Sequence, residues 1–359
     1  MRRRAFTLVE ILIVLIIFGI VMGAVFSALA MYFSSQWQTE DYAIARAEIE
    51  GAFGALSSPF SSIGLGLPNN AAGSGAFAAS FAAVGSRPNA SVMSSMGAWG
   101  SAWGGPVTVA SGDVRQPAGR ITAPDADGYY CGPELYFAWS VPLGRVISPD
   151  VAGSGGADKM KQPTGSYESW INFQQLSMDV GYWSGQRLAL RGADGGVLPV
   201  SQDQWVTLPS FGLPLYVERL EGGGSRAVVK IAPGAEAAHI LLGSPLRGFE
   251  ELHAVRASRL RVVNEELIQE FYVMPPQLEP DVLQGGGTHR VLARNVAGVW
   301  FRFNPRTRIL QMALAVQGIN ADRQGAAPLR PAGWPDGAPD IGGKDRRILV
   351  ENRAWRIRN

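Results

Sequence analysis

The sequence contains very little cysteine and histidine, and this limits the chemistry that the chain can perform. Cys131 is the single cysteine, so an intramolecular disulfide is excluded even in an oxidising compartment. His239, His253 and His289 are far apart and lack the spacing of a metal site, so we interpret them as structural or surface residues. We therefore expect no metal centre and no cofactor.

Motifs for catalysis and phosphate binding are also missing. No Gly-x-Ser-x-Gly motif occurs, and Gly342-Gly343-Lys344 is followed by Asp345 rather than by Ser or Thr. The stretch 124–128 contains Asp-x-Asp-Gly, as calcium loops do, but the later acidic ligands are absent, which favours a plain turn. These absences predict that the protein is not an enzyme, and a membrane-tethered periplasmic enzyme is the weaker alternative.

One long hydrophobic run dominates the N-terminus. Three arginines, Arg2 to Arg4, precede the apolar segment 6–33, whose only charge is Glu10. A helix of about 20 apolar residues crosses the hydrocarbon core of a bilayer. The arginines predict a cytoplasmic N-terminus and export of the remaining chain. A carboxylate in lipid is costly unless it is paired, so Glu10 is a candidate functional residue.

This start resembles the class III signal of type IV prepilins and type II secretion pseudopilins. The shared features are a basic leader, a small residue, Phe-Thr-Leu, and Glu10 as the fifth residue after the cut. The resemblance implies cleavage by prepilin peptidase between Ala5 and Phe6, with Ala5 where the family usually has Gly. It also implies methylation of the Phe6 amine, pairing of Glu10 with the Phe6 ammonium of a neighbouring subunit, and other pilins or pseudopilins as partners.

Two other interpretations of the N-terminus stay open. Ala28-Leu29-Ala30 could be the cleavage site of a secretory signal peptide, and the segment could be a plain anchor with Glu10 at the interface. The apolar run is longer than an ordinary signal sequence, which favours the pilin-type signal. The predicted location is then the inner membrane, crossed once, with a periplasmic head that later enters a pilus or pseudopilus.

The overall charge gives no drive toward nucleic acid. The chain has 32 Lys and Arg against 30 Asp and Glu, a formal net charge of +2. Loss of the leader arginines would lower the basic count to 29 and the net charge to −1. A near-neutral protein has no general attraction to nucleic acid, so this partner is expected only through a local patch.

Composition and periodicity divide the chain into four parts. After the leader 1–5 we expect a long helix over 6–57, with 6–33 in the membrane and 34–57 amphipathic. Apolar residues from Trp37 to Leu56 recur at helical spacing, acidic residues including Asp41 and Glu48 are assigned to the opposite face, and Ser57-Ser58-Pro59 marks the end. The Gly/Ala/Ser-rich segment 58–119 is predicted to be a loop. Either its aromatic residues hold it on the surface of the domain, or it is flexible and adhesive. Residues 120–359 form the β-rich head.

Several runs in the head predict antiparallel strands. The clearest are 135–141, the hairpin of 213–220 with 226–231, and the hairpin of 259–263 with 267–273. Residues 238–242 are a further predicted strand, and the stretch 167–183 is ambiguous between a strand and a short helix in an insertion. The predicted fold class is α+β and pilin-like: a long N-terminal helix packed on an antiparallel sheet that insertions enlarge.

The C-terminal third carries a second resemblance. Residues 291–303, 309–316 and 347–359 resemble the last strands of PilW-type minor pilins and J-type pseudopilins. The implied function is a minor pilin that helps initiate or cap a type IV pilus, with a J-type pseudopilin of type II secretion as the alternative. Arg353, Arg356 and Arg358 are candidate DNA contacts of a DNA- or surface-binding minor pilin. The favoured interpretation is an edge strand protected by charge.

Overall fold

A single long helix precedes the strands in the computed structural model. The structure describes residues 8–67, 77, 105–112, 120–149, 170–171, 187–209, 212, 214–230, 246–247, 250–272, 289–320, 328–342 and 346–358. Within them the helix is followed by antiparallel sheets, which confirms the α+β, pilin-like fold class.

Helix α1 (Leu8–Ser61) is continuous over 54 residues, about 80 Å at the rise of an α-helix. It ends at Ser61 and not at residue 57, although Pro59 lies inside it. Proline removes the backbone N–H that would bond the carbonyl four residues earlier and crowds that carbonyl, so the last turn carries a local cost. Pro59 and Phe60 are both buried, so packing of the last turn in the core explains the extension.

The strands pair antiparallel throughout. They are β1 (Val107–Ser111), β2 (Arg120–Ile121), β3 (Tyr130–Gly132), β4 (Glu134–Pro149), β5 (Trp170–Ile171), β6 (Arg187–Gly192), β7 (Trp205–Thr207), β8 (Pro214–Glu221), β9 (Arg226–Lys230), β10 (Leu246–Arg247), β11 (Glu250–Val263), β12 (Glu266–Tyr272), β13 (His289–Ala293), β14 (Val296–Asn304), β15 (Ile309–Gln317) and β16 (Ile348–Arg356).

The larger sheet is built around the two longest strands. Its order is β13-β12-β11-β7-β8-β9-β6-β4-β1-β2, and β4 also pairs directly with β11. The pairings from β11 through β7, β8, β9 and β6 back to β4 therefore form a closed circuit. Such closure leaves fewer unpaired edges.

The smaller sheet, which we call the C-terminal sheet, has the order β16-β15-β14-β3. The run 291–303, predicted as one strand, is two strands that belong to different sheets. Asn295 takes a left-handed conformation with φ 55°, β13 pairs with β12, and β14 pairs with β15 and β3. The turn is the polar pair Arg294-Asn295, and the apolar residues on both sides of it made the run resemble one strand.

The core lies between α1 and the two sheets. Its helix side comes from Ile49, Phe53, Leu56 and Phe60, which are buried. The C-terminal sheet contributes one face of β14 and β15, and the larger sheet contributes residues of β1, β4 and β12. The amphipathic half of the helix therefore packs under the sheets as the sequence predicted.

Two hairpins follow the predicted pattern. Strands β8 and β9 are joined by Gly222–Gly224, which all have positive φ (58°, 65° and 92°), a conformation that glycine adopts without strain. Strands β11 and β12 are joined by Asn264 and Glu265, also at positive φ, as two-residue hairpin loops require.

The segment predicted as a loop over 58–119 contains regular structure. The helix end and strand β1 lie inside it, and Ile63 bridges to Trp139. Phe60 and Phe77 are buried, whereas Phe81, Trp99 and Trp103 lie outside the described residues, as does the predicted strand 238–242. Of the ambiguous stretch 167–183, only β5 is described, and it pairs with β10.

Candidate functional site

The first half of α1 is exposed along its length. From Leu8 to Glu40 the helix has no buried residue, and large apolar side chains such as Leu8 (79% exposed) and Ile20 (68%) point outward. By length and composition this helix is able to cross a membrane, and none of its most apolar window is buried inside the protein. Lipid or other helices are the environments that suit such a surface.

Glu10 lies in the first turn of this exposed half. A negative charge there faces the positive end of the helix dipole. Ala5 and Phe6, the residues of the predicted cleavage and methylation, lie outside the described residues. Their chemistry and the pairing of Glu10 with Phe6 stay predictions.

The helix becomes attached to the head at Asp41. Its side chain is only 6% exposed, and Oδ1 accepts hydrogen bonds from the backbone N–H groups of Ile319 (3.2 Å) and Asn320 (3.3 Å) and from the Asn320 amide (2.9 Å). Hydrogen bonds to a carboxylate are stronger than neutral ones. The turn after β15 is thus held on the helix by one charged side chain.

Gly318 lets this turn approach the helix. A Cβ atom on Gly318 would lie 2.8 Å from Oδ2 of Asp41, closer than side chains tolerate. The Gly318 N–H donates to the Arg347 carbonyl at 2.8 Å, which ties the same turn to the residue before β16. The lack of a side chain at Gly318 is therefore needed for the contact.

A second carboxylate repeats the arrangement two helical turns later. Glu48 Oε2 accepts the backbone N–H of Arg294, at 2.8 Å, in the turn between β13 and β14. Residues seven apart lie on nearly the same side of a helix. We call Asp41 and Glu48 with these two turns the carboxylate clamp. It satisfies loop N–H groups that regular strands would otherwise pair.

Aromatic packing completes the junction. Phe60 makes edge-to-face contacts with Phe137 (5.3 Å between ring centroids) and Trp355 (4.8 Å), and Phe53 lies 5.7 Å from Trp355. These contacts join the helix to β4 and to the last strand, β16. Aromatic pairs add roughly 0.5–1.5 kcal/mol each beyond the area they bury.

The three C-terminal arginines do not form one patch. Arg353 turns toward the helix, where its guanidinium lies 4.5 Å from the Phe53 ring centroid and 3.2 Å from Glu351. Arg356 is exposed and lies on the opposite face of β16 from Arg353. Arg358 comes after the end of the strand and is also exposed. Strand β16 is an edge of the C-terminal sheet, where charge discourages pairing with another chain.

The weak metal signals have structural explanations. Asp125 Oδ1 accepts the N–H groups of Asp127 (3.0 Å) and Tyr129 (2.8 Å), so its carboxylate closes a turn. These hydrogen bonds, Tyr129 first, lower the pKa of the Asp125 carboxyl. Among the described residues no group of three or more His, Cys, Asp or Glu side chains is arranged to hold a metal ion.

Sequence reasoning assigned Asp41 and Glu48 to the outer, polar face of the helix, and this assignment is wrong. Asp41 is buried and shares a stripe with Ala45 and Ile49, at intervals of four residues. That spacing was the available signal, but a carboxylate on an apolar stripe is easily taken for a boundary residue. Trp37, predicted to be on the packed face, is 42% exposed.

Comparison with known proteins agrees with the N-terminal signal. Residues 1–26 match the family model described as the prokaryotic N-terminal methylation motif. No curated protein and no solved structure matches the chain. The motif's family points to a structural subunit that is processed by a prepilin peptidase and assembles with other pilins. The chain therefore carries a type IV pilin-like class III signal at the start of a long apolar helix.

Proposed function

We propose that this protein is a minor pilin-type subunit that helps initiate or cap the assembly of a type IV pilus. One observation carries the proposal: a single helix has an apolar exposed half and a second half fixed to the head by Asp41 and Glu48. Such a helix can leave the bilayer and enter a bundle of like helices while the head moves with it as a unit.

The exposed aromatics set the depth of the helix in the membrane before assembly. Tyr32, Phe33 and Trp37 follow the apolar run and are 64%, 48% and 42% exposed. Tyr and Trp favour the headgroup region. The carboxylate clamp then begins just above this region, which supports an inner-membrane subunit whose head rests close to the periplasmic membrane surface.

The assembly step is the pairing of two charges in an apolar setting. After cleavage between Ala5 and Phe6, the methylated Phe6 amine is cationic, and Glu10 of a neighbouring subunit neutralises it. An unpaired carboxylate at bilayer depth costs about 2–3 kcal/mol or more. Pairing therefore favours one axial register between subunits.

The size of the head supports a position at the filament tip. The helix end packs on both a ten-stranded and a four-stranded sheet. Heads of this size, repeated along a shaft, need space on every side, whereas a tip subunit has one side without neighbours. A J-type pseudopilin of type II secretion is the alternative, because the C-terminal strands resemble both families.

The processing experiment is N-terminal sequencing of the mature protein. We expect the sequence to begin at Phe6 with a methylated amine. A start at Met31, after Ala28-Leu29-Ala30, contradicts the pilin-type signal and identifies ordinary signal peptidase.

The position in the filament is tested by quantitative mass spectrometry of sheared filaments. We expect this chain at low stoichiometry relative to a smaller major pilin, and a deletion that lowers filament number more than filament length. Equal abundance along the shaft contradicts the tip assignment. Loss of protein secretion with normal pili favours the pseudopilin alternative.

A further inference from the structure

A cavity opens on the face of the C-terminal sheet that is turned away from α1. Its volume is about 440 Å³, within the range of small-molecule sites. Trp300 of β14 and Asn352 of β16 lie opposite Ala313 of β15, while Arg302 and Ala354 lie opposite Gln311. Directly paired residues share one face of a sheet, so these side chains surround a common space.

The segment 328–342 builds one wall of this cavity. The Trp334 indole is 7% exposed, donates its N–H to the Pro339 carbonyl at 2.9 Å and lies against Gly298. The Asn352 amide donates to the Gly333 carbonyl at 2.7 Å, which attaches the wall to the edge strand. Ala313 of β15 lines the cavity, and its small side chain leaves space between the neighbouring strands. The cavity is therefore formed by packed elements and hydrogen bonds.

The cations near the cavity are paired with carboxylates or stacked on rings. The Arg302 guanidinium lies 4.6 Å from the Tyr129 ring centroid and 3.6 Å from Asp125. Arg330 pairs with Asp340 at 2.9 Å and lies 3.9 Å from the fully exposed Asp336, whose carboxylate is at the rim of the cavity. A phosphate or another anion would find little uncompensated positive charge here. These charges argue against nucleic acid as the ligand.

The remaining groups suit a polyol. Trp300 offers aromatic surface, and the amides of Gln311 and Asn352 and the carboxylate of Asp336 can bond to hydroxyl groups as donors or acceptors. A sugar ring combines an apolar face of C–H groups with a rim of hydroxyls that both donate and accept. We propose that this cavity binds a neutral saccharide of about two or three rings. Such a site would let the head attach to a surface that carries glycans.

The test is isothermal titration calorimetry on the full chain in detergent. The probes are cellotriose, maltotriose and triacetylchitotriose. We expect saturable binding of at least one. Trp300→Ala should weaken it at least about tenfold, which corresponds to about 1.4 kcal/mol, and Trp300→Phe should keep most of it. The control is Asp127→Asn, an exposed residue outside the cavity, and we expect this variant to bind the saccharide like wild type.

A second variant protects the test against misfolding. Ala354 is exposed, so Ala354→Phe should fold normally while filling the space beside Gln311. We expect an unchanged thermal transition and lost binding. Absence of binding for all three probes at millimolar concentration overturns the proposal. Saccharide binding that survives Ala354→Phe also overturns it. So does binding of a phenylalanine tripeptide or a DNA duplex in this cavity when none of the saccharides binds. Processing at Phe6 is unaffected by either result and tests the proposed function separately.

Discussion

Asp41 in α1 and Asn320 after β15 are joined through a single carboxylate oxygen. Asp41 Oδ1 accepts both the side-chain amide of Asn320, at 2.9 Å, and its backbone N–H, at 3.3 Å. The two residues are 279 positions apart in the chain. The point where the helix leaves the head is therefore fixed by a long-range contact, and a force on the exposed half of the helix reaches the C-terminal sheet there.

Asp41→Ala should destabilise the head by about 2–3 kcal/mol, because three donors lose a charged acceptor. Urea unfolding of the full chain in detergent measures this. Glu40→Ala is the matched control, since Glu40 is an exposed acid in the adjacent position. Equal unfolding midpoints for the two variants would show that the contact with Asn320 contributes nothing to stability.

Glu10→Ala should leave cleavage and membrane insertion intact but reduce incorporation into filaments, because only the pairing between subunits is lost. Immunoblots of sheared filaments and membranes report the two pools. Glu50→Ala, in the exposed pair with Arg46 near the other end of the helix, is the control. Normal incorporation of Glu10→Ala makes Glu10 an interfacial residue only.

Phe60→Ala should cost about 3–5 kcal/mol of unfolding free energy, since it removes a fully buried ring from between Phe137 and Trp355. Denaturant titration followed by tryptophan fluorescence measures the loss. Val197→Ala serves as the control because Val197 is 59% exposed. A loss below 1 kcal/mol for Phe60→Ala contradicts a well-packed junction.

The head should become less stable as pH falls below about 6.5, the ordinary pKa of histidine. Burial lowers the pKa of His253, opposed by the nearby Glu251 and Glu250, and its Nδ1 lies 3.2 Å from Ser140 Oγ. A His with a lowered folded pKa stays neutral when the unfolded chain binds a proton, so acid favours unfolding. Thermal melts at pH 7.5 and 5.5 should show a smaller shift in His253→Gln than in His289→Gln, whose His is exposed. Identical shifts contradict the role of His253.

Arg356→Ala combined with Arg358→Ala should not change the retention of duplex DNA by the protein. Arg353 is held between Phe53 and Glu351, so it cannot complete a patch with them. Filter binding over a range of salt concentrations measures both affinity and salt slope. Weaker binding with a flatter slope in the double variant would instead assign phosphate contacts to these residues.

Local patterns determined a large part of this protein. The N-terminal segment, with its apolar run, its arginines and Glu10, predicted the membrane-type helix and the pilin-like signal. Hydrophobic length and charge placement act within one segment, so sequence alone was sufficient. The hairpins at Gly222–Gly224 and at Asn264 were predictable for the same reason, since turn residues act on their own backbone.

Only the tertiary structure decided the junction and the sheet assignment. Asp41 is polar by sequence, but distant N–H groups of Ile319 and Asn320 make its burial favourable. The break between β13 and β14 depends on which strands the two halves pair with, β12 for β13 and β15 and the distant β3 for β14. The orientation of Arg353 toward Phe53 depends on a helix at the other end of the chain. Burial and pairing depend on which distant segments meet, and no pattern within one segment contains that information.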